Sequence, residues 1–73
     1  MEDLRVTWDG VSYCVWREDN FRMEDNYKIC GAIARKGHST TYGHSSVRIY
    51  DAKDELDALK IFLEAQEQVN EPL

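Results

Sequence analysis

The sequence contains few of the residues that define several classes of small protein. Two cysteines are too few for the disulfide framework that very small secreted proteins usually need. No apolar run approaches the roughly 20 residues that span a bilayer. The start, MEDLRVTWDG, is acidic and lacks the basic and apolar regions of a signal peptide. We therefore expect a soluble, reduced, cytoplasmic protein.

Proline is also scarce, and the remaining composition is that of a globular chain. One proline accompanies 42% hydrophobic and 11% aromatic residues, which excludes intrinsic disorder. The length of 73 residues allows one small domain, residues 1–73, and excludes a second. A chain of this size buries only about 60% of its unfolded surface, so its stability is marginal.

Basic charge is scarce in the last third of the chain. Residues 1–50 carry seven Lys or Arg and seven Asp or Glu, whereas residues 51–73 carry two and seven. The whole net charge of −5 therefore lies after residue 50. Free nucleic acid should repel such a protein, because nucleic-acid binding depends on basic groups that neutralise phosphates. We expect no direct nucleic-acid or membrane partner, and instead a protein with a basic surface.

The segment LRVTWDGVSYCVW predicts a β-hairpin. Asp9-Gly10 is typical of a two-residue type I′ turn, which pairs Trp8 with Val11 and Val6 with Tyr13. Alternation along each strand then places the apolar side chains on one face. The opposite face carries mainly polar residues together with Cys14 and Trp16.

The middle of the chain predicts a connection, a strand, a loop and a second strand. Residues 18–26, with their charged and Asn residues, predict a connection, and alternation in YKICGAIAR predicts a third strand over 27–35. The stretch GHSTTYGHSS predicts a loop at 37–46. The β-branched run at 47–50 predicts a strand.

The last segment predicts one long helix. Asp51 is the predicted N-cap, and good helix formers without Gly or Pro continue to about Val69. The predicted apolar stripe contains Leu56, Leu59, Phe62, Leu63 and Val69. The predicted fold class is α+β: an antiparallel sheet, formed by the N-terminal hairpin plus one or two further strands, covered on one face by this single helix.

Several patterns suggest chemistry, but their spacing does not support it. Cys14, Cys30, His38 and His44 could supply the ligands of a zinc site, yet they lack the close pairs typical of such sites. Nothing places a cysteine beside a histidine and a third orienting group for nucleophilic catalysis. The 36–45 loop lacks the lysine and following helix of a phosphate loop, and residues 18–26 lack calcium-loop spacing. We expect no enzyme activity, metal or cofactor.

Two surfaces remain as candidate interfaces. One is the acidic outward face of the predicted helix, which would dock on a basic groove, and its alternative interpretation is a solvated surface. The other is the outer sheet face around Trp16, with Cys14 and, in the predicted strand, Cys30, Ala32 and Ala34. The candidate partner-binding residues are Asp54, Asp57, Glu64, Glu67, Tyr42, Trp16, His38 and His44.

In size, charge and shape, the whole chain resembles small acidic inhibitors encoded by phages and mobile elements. The resemblance implies a non-enzymatic protein-binding module that blocks a nucleic-acid-handling enzyme or a defence complex of a host. One alternative is a structural or regulatory subunit that homodimerises through the outer sheet face. A zinc-dependent module is a third hypothesis. Both loop histidines can gain charge near pH 6, which makes pH-sensitive binding a further hypothesis.

Overall fold

The computed structural model describes residues 4–17 and 23–70, which form four strands and two helices. The elements are β1 (Leu4–Trp8), β2 (Tyr13–Arg17), α1 (Met23–Arg35), β3 (Thr40–Tyr42), β4 (Ser46–Ile49) and α2 (Glu55–Asn70). The strands form one antiparallel sheet in the order β1-β2-β4-β3. The predicted α+β class, antiparallel sheet, N-terminal hairpin and C-terminal helix are confirmed. The predicted single helix is joined by a second, α1.

The N-terminal hairpin has a longer turn than predicted. Trp8 pairs with Tyr13 instead of Val11, and Val6 pairs with Val15. Because the register differs by two residues and side chains alternate along a strand, the apolar side chains still share one face. The predicted face is therefore right, and the predicted pairing is wrong.

Asp9 explains the longer turn. Its Oδ1 accepts hydrogen bonds from the backbone N–H groups of Val11, at 2.9 Å, and Ser12, at 2.8 Å. The backbone N–H of Asp9 donates to the Ser12 carbonyl at 3.1 Å. Gly10 has φ of 96°, a left-handed conformation that glycine adopts without strain. A carboxylate that binds amides two and three residues ahead stabilises a four-residue turn over a two-residue one.

The segment predicted as a third strand forms most of helix α1. The buried residues Asn26, Ile29 and Ile33 of α1 recur every three or four positions, and buried Ala32 adjoins Ile33. Ile29 and Ile33 also fit the two-residue period of a strand, so the apolar pattern alone did not decide between the two. Residues 23–26, predicted as a connection, form the first turn of α1, and residues 18–22 lie outside the described part of the chain.

Helix α1 ends at a glycine cap. Gly37 has φ of 92°, and its N–H donates to the Ala34 carbonyl at 2.9 Å. The N–H of His38 reaches back to the Ile33 carbonyl at 3.4 Å. These two bonds form a Schellman motif, which satisfies carbonyl groups at the end of a helix.

The predicted 37–46 loop contains an edge strand. Strand β3 pairs with β4, for example Thr41 with Arg48, and residues 43–45 form the turn between them. The strand predicted at 47–50 is present as β4. The irregular segments around β3 are therefore much shorter than the predicted ten-residue loop.

Helix α2 begins after Asp54 instead of Asp51. The backbone N–H of Asp57 donates to Asp54 Oδ1 at 2.8 Å, the usual N-cap bond. In return, Asp57 Oδ2 accepts a hydrogen bond from the Lys53 backbone N–H at 2.9 Å. The predicted N-cap at Asp51 is wrong because residues 51–54 form bends before the helix.

The core contains residues from one face of the sheet and from both helices. Helix α1 contacts β3 and β4, whereas α2 contacts β1 and β2, and the helices contact each other. The core residues are Val15, Val47, Ile49, Ile29, Ala32, Ile33, Ala58, Phe62 and Ala65. In the described residues, neither helix is both long and apolar enough to cross a membrane.

Candidate protein-binding surfaces

Helix α2 carries leucines that the core does not bury. Leu56 is 79% exposed and Leu63 is 44% exposed, although both belong to the predicted apolar stripe. They lie seven residues apart, on the same side of the helix. Phe62 is fully buried, as predicted, and Leu59 is half-buried. The apolar part of α2 is therefore wider than its contact with the sheet requires.

The exposed leucines share their side of the helix with charged residues. We call this set the α2 surface: Leu56, Leu59, Lys60, Leu63, Glu64 and Glu67. Glu64 also lines the narrow cleft between the two helices, together with Lys36 and His38. Ile61 and Ala65 line the same cleft, so the leucines point away from α1.

The four predicted helix acids do not form one group. Glu64 and Glu67 are exposed and belong to the α2 surface. Asp54 and Asp57 instead bind backbone N–H groups at the start of α2. Because those hydrogen bonds stabilise the helix end, the two aspartates have a structural role that the charge pattern did not reveal.

A second surface lies on the outward side of α1. We call it the α1 surface: Tyr27, Lys28, Cys30, Gly31, Ala34, Arg35, Tyr42 and Val69. The rings of Tyr27 and Tyr42 meet edge to face, with centroids 5.6 Å apart. Their side chains are 61% and 40% exposed. An exposed aromatic pair beside an arginine is the composition that concentrates binding energy at protein interfaces.

Only part of the α1 surface was predicted. Tyr42 was a predicted contact residue, although it lies in a strand and not in a loop. Tyr27, Lys28 and Arg35 were missed because their segment was interpreted as a strand. The acidic first turn of α1, the basic Arg35 in its last turn and the following Gly37 were the available helix signals.

Trp16 is held within the outer sheet face. Its Nε1–H donates to Thr7 Oγ1 at 2.8 Å, and the Arg5 guanidinium lies 5.7 Å from the ring centroid. The expected neighbours Cys30, Ala32 and Ala34 belong to α1, so the predicted composition of this patch is wrong. The face around Trp16 instead carries polar side chains, including those of Thr7 and Arg5.

The two histidines lie on either side of strand β3. His38 precedes it, and its Nδ1 is 3.2 Å from Asp51 Oδ1. The backbone N–H of Ser39 donates to Asp51 Oδ2 at 3.1 Å. His44 follows β3, in the exposed turn before β4. The 36–45 segment is thus anchored to Asp51 at its start.

The cysteines and histidines do not converge on a metal site. Cys14 is buried on β2, where its thiol lies 3.7 Å from Asp9 Oδ2. The thiol of Cys30, on α1, lies 3.8 Å from Thr40 Oγ1. Across residues 4–17 and 23–70, no three His, Cys, Asp or Glu side chains are grouped so that they could hold a metal ion. This geometry gives the zinc hypothesis no support.

The pKa of the Asp9 carboxyl lies below its ordinary value. Hydrogen bonds from the backbone amides of Ser12 and Val11 lower its pKa to about 2, aided by the Ser12 hydroxyl and the charge of Arg48. Arg48 Nη1 donates to Asp9 Oδ2 at 2.8 Å and so ties the hairpin turn to β4. This network stabilises the sheet and leaves Asp9 fully engaged within the chain.

The described residues therefore offer two exposed surfaces with different chemistry. The α2 surface combines leucines with glutamates, and the α1 surface combines tyrosines with basic residues. Comparison with protein families, with characterised proteins and with solved structures finds no match to this chain.

Proposed function

We propose that the protein is a non-enzymatic binding module whose α2 surface docks in an apolar groove of another protein. The observation that carries this proposal is the exposure of Leu56 and Leu63 on one side of a helix whose core-facing side is already occupied. Burying a leucine contributes about 1.5–3 kcal/mol relative to leaving it in water. A groove that covers both leucines would recover that free energy.

The partner groove is bordered by basic groups. Glu64 and Glu67 lie beside the leucines, and the last third of the chain carries the whole net charge of −5. Complementary charge accelerates association and excludes acidic competitors. Basic grooves commonly hold nucleic acid, so an acidic helix in such a groove would compete with it. This reasoning supports an inhibitor of a nucleic-acid-handling enzyme or defence complex of a host, of the phage or mobile-element type.

The α2 surface is the centre of the contact and not its whole area. A typical stable interface uses about 20–30 residues a side, whereas this surface has six. We expect the leucines to supply most of the binding free energy and the glutamates to accelerate association. Raising the ionic strength should therefore weaken binding through the association rate.

Affinity capture with matched variants tests the proposal. The bait pair is wild type and the double variant Leu56→Ala, Leu63→Ala. The control is Val11→Ala, since Val11 is 67% exposed in the hairpin turn and is not part of the α2 surface. We expect proteins retained by wild type and by the control to be lost from the double variant.

Binding measurements with the purified partner then test the proposal quantitatively. We expect its affinity to fall at least about tenfold for the double-leucine variant, as loss of about 1.4 kcal/mol requires. Glu64→Lys with Glu67→Lys should slow association and reduce the dependence on salt. A partner that binds all these variants as tightly as wild type would contradict the α2 surface. A partner whose nucleic-acid-dependent activity is unaffected by binding would contradict the inhibitor function.

A further inference from the structure

The two exposed surfaces lie on opposite flanks of the molecule. Helix α2 packs on β1 and β2, and its leucines point away from α1. Helix α1 packs on β3 and β4, and its exposed aromatic pair includes Tyr42 of β3, the other edge strand. The exposed leucines of α2 and the Tyr27–Tyr42 pair of one chain therefore face in different directions, although Val69 of α2 also borders the α1 surface.

We infer that the α1 surface is a docking site for the α2 surface of a second copy of this chain. The charges are complementary, because Lys28 and Arg35 would face Glu64 and Glu67 of the other copy. The apolar parts also match, since exposed tyrosine rings on one surface would cover exposed leucines on the other.

The position of Gly31 supports docking of a second copy at the α1 surface. Gly31 lies inside α1, where glycine costs about 1 kcal/mol relative to alanine. Apart from its chain neighbours and the nearby backbone of α1, no described atom lies within 4 Å of the place where its Cβ would stand, so packing against other elements does not require glycine. With Ala34, it leaves a shallow depression beside Tyr27 that a leucine of the second copy would fill.

Electrostatics favours head-to-tail over symmetric pairing. Two α2 surfaces placed face to face would oppose Glu64 and Glu67 to the same acids, with Lys60 as the one base on that surface to offset the repulsion. Two α1 surfaces would oppose Lys28 and Arg35 to the same bases. A head-to-tail contact uses different surfaces on each copy, so it generates a chain or a ring instead of a closed dimer.

This inference goes beyond the proposed function and also constrains it. A second copy would cover the same leucines that the proposed partner binds, so self-association and partner binding would compete. The contact is small, which predicts weak association that becomes significant only at high protein concentration. Self-association would then limit the concentration of the binding-competent monomer.

Sedimentation velocity with two one-sided variants tests the inference. Lys28→Glu with Arg35→Glu blocks the α1 surface, and Leu56→Ala with Leu63→Ala blocks the α2 surface. We expect the wild-type mass to rise between about 10 µM and about 1 mM, for a dissociation constant on the order of 100 µM. Each blocked variant should stay monomeric, and their equimolar mixture should form a 1:1 complex and nothing larger.

Two control variants distinguish this contact from nonspecific aggregation and from loss of folding. Val11→Ala and Lys53→Glu lie outside both surfaces and should associate like wild type, and circular dichroism should show that every variant is folded. A monomeric wild type over the whole range would overturn the inference, as would one-sided variants that still dimerise alone. A monomeric wild type whose partner is lost with the double-leucine variant would overturn the inference and leave the proposed function intact.

Discussion

The two helices contribute to one core and present different chemistry to solvent. On the inner side, α1 supplies Ile29 and Ile33, and α2 supplies Phe62, all of them fully buried. On the outer side, α1 carries Tyr27 and the basic residues Lys28 and Arg35, whereas α2 carries leucines and glutamates together with Lys60. Both inner sides bury apolar residues, whereas the two outer sides expose different types of residue.

This difference separates the residues that specify the fold from those that the fold leaves unexplained. Apolar burial accounts for the inner positions of both helices. It does not account for Leu56 in water or for Gly31 in the interior of a helix. Leu56 and Gly31 do not contribute to the stability of the isolated chain. Contact with a binding partner would explain why they stand at these positions.

Core truncation should have the largest effect and should affect both helices alike. We expect Phe62→Ala to destabilise by about 3–5 kcal/mol and Ile33→Ala by about 2–5 kcal/mol. The whole domain has only about 4–11 kcal/mol at the usual 0.05–0.15 per residue. Leu56→Ala should change stability by less than about 0.5 kcal/mol.

Urea unfolding followed by tryptophan fluorescence measures all three variants. We expect Phe62→Ala and Ile33→Ala to lower the urea midpoint of unfolding strongly and Leu56→Ala to leave it almost unchanged. A large loss for Leu56→Ala would mean that Leu56 packs within the chain, which removes the central observation for the α2 surface.

The same contrast explains what could be predicted from the sequence. Helix α2 was predictable because its apolar residues recur at helical spacing over a long run of good helix formers that no glycine or proline interrupts. Helix α1 was not predictable, because Ile29 and Ile33 fit the period of a strand as well as that of a helix. Its residues Cys30 and Gly31 are also weak helix formers. The Gly37 cap was a readable stop signal, but it was assigned to a loop.

The surfaces were less predictable than the fold. Charge pattern correctly indicated that acidic residues lie on the outside of α2, but could not reveal that Asp54 and Asp57 cap the helix. The helical spacing of the apolar residues placed Leu56 and Phe62 on one stripe. Only the packing of α2 against the sheet shows which of the two is buried. Tyr27 and Tyr42 meet across a long-range contact that no local pattern encodes.

Two glycines of the α1 region should respond to alanine in opposite directions. Gly37→Ala places a side chain at φ of 92° and should destabilise by about 1–2 kcal/mol. Gly31→Ala adds a methyl group that contacts no other element of the described chain, and it should stabilise by about 0.5–1 kcal/mol. Thermal unfolding of both variants measures the difference, and destabilisation by Gly31→Ala would show that the fold itself requires this glycine.

The start of α2 distinguishes capping acids from exposed ones. We expect Asp54→Ala to cost about 1 kcal/mol through loss of the N-cap bond. Exchange of the Asp57 amide hydrogen should accelerate in this variant. Asp51→Ala should leave that amide protected, because Asp51 binds His38 and Ser39 instead. Equal acceleration in both variants would place the cap at Asp51 after all.

Acid should weaken the hairpin turn through Asp9, whose carboxylate binds the turn amides. The pKa of folded Asp9, about 2, lies below its ordinary value of 3.8, so the folded state binds the proton more weakly than the unfolded state. The stabilisation is therefore complete above about pH 4 and is lost as the pH falls towards about 2. Asp9→Asn cannot titrate and loses the ion pair with Arg48.

We expect Asp9→Asn to be less stable than wild type near neutral pH and to lose less stability in acid, with the two urea midpoints converging towards about pH 2. Parallel acid profiles for wild type and Asp9→Asn would show that the Asp9 hydrogen bonds in the turn do not depend on its charge.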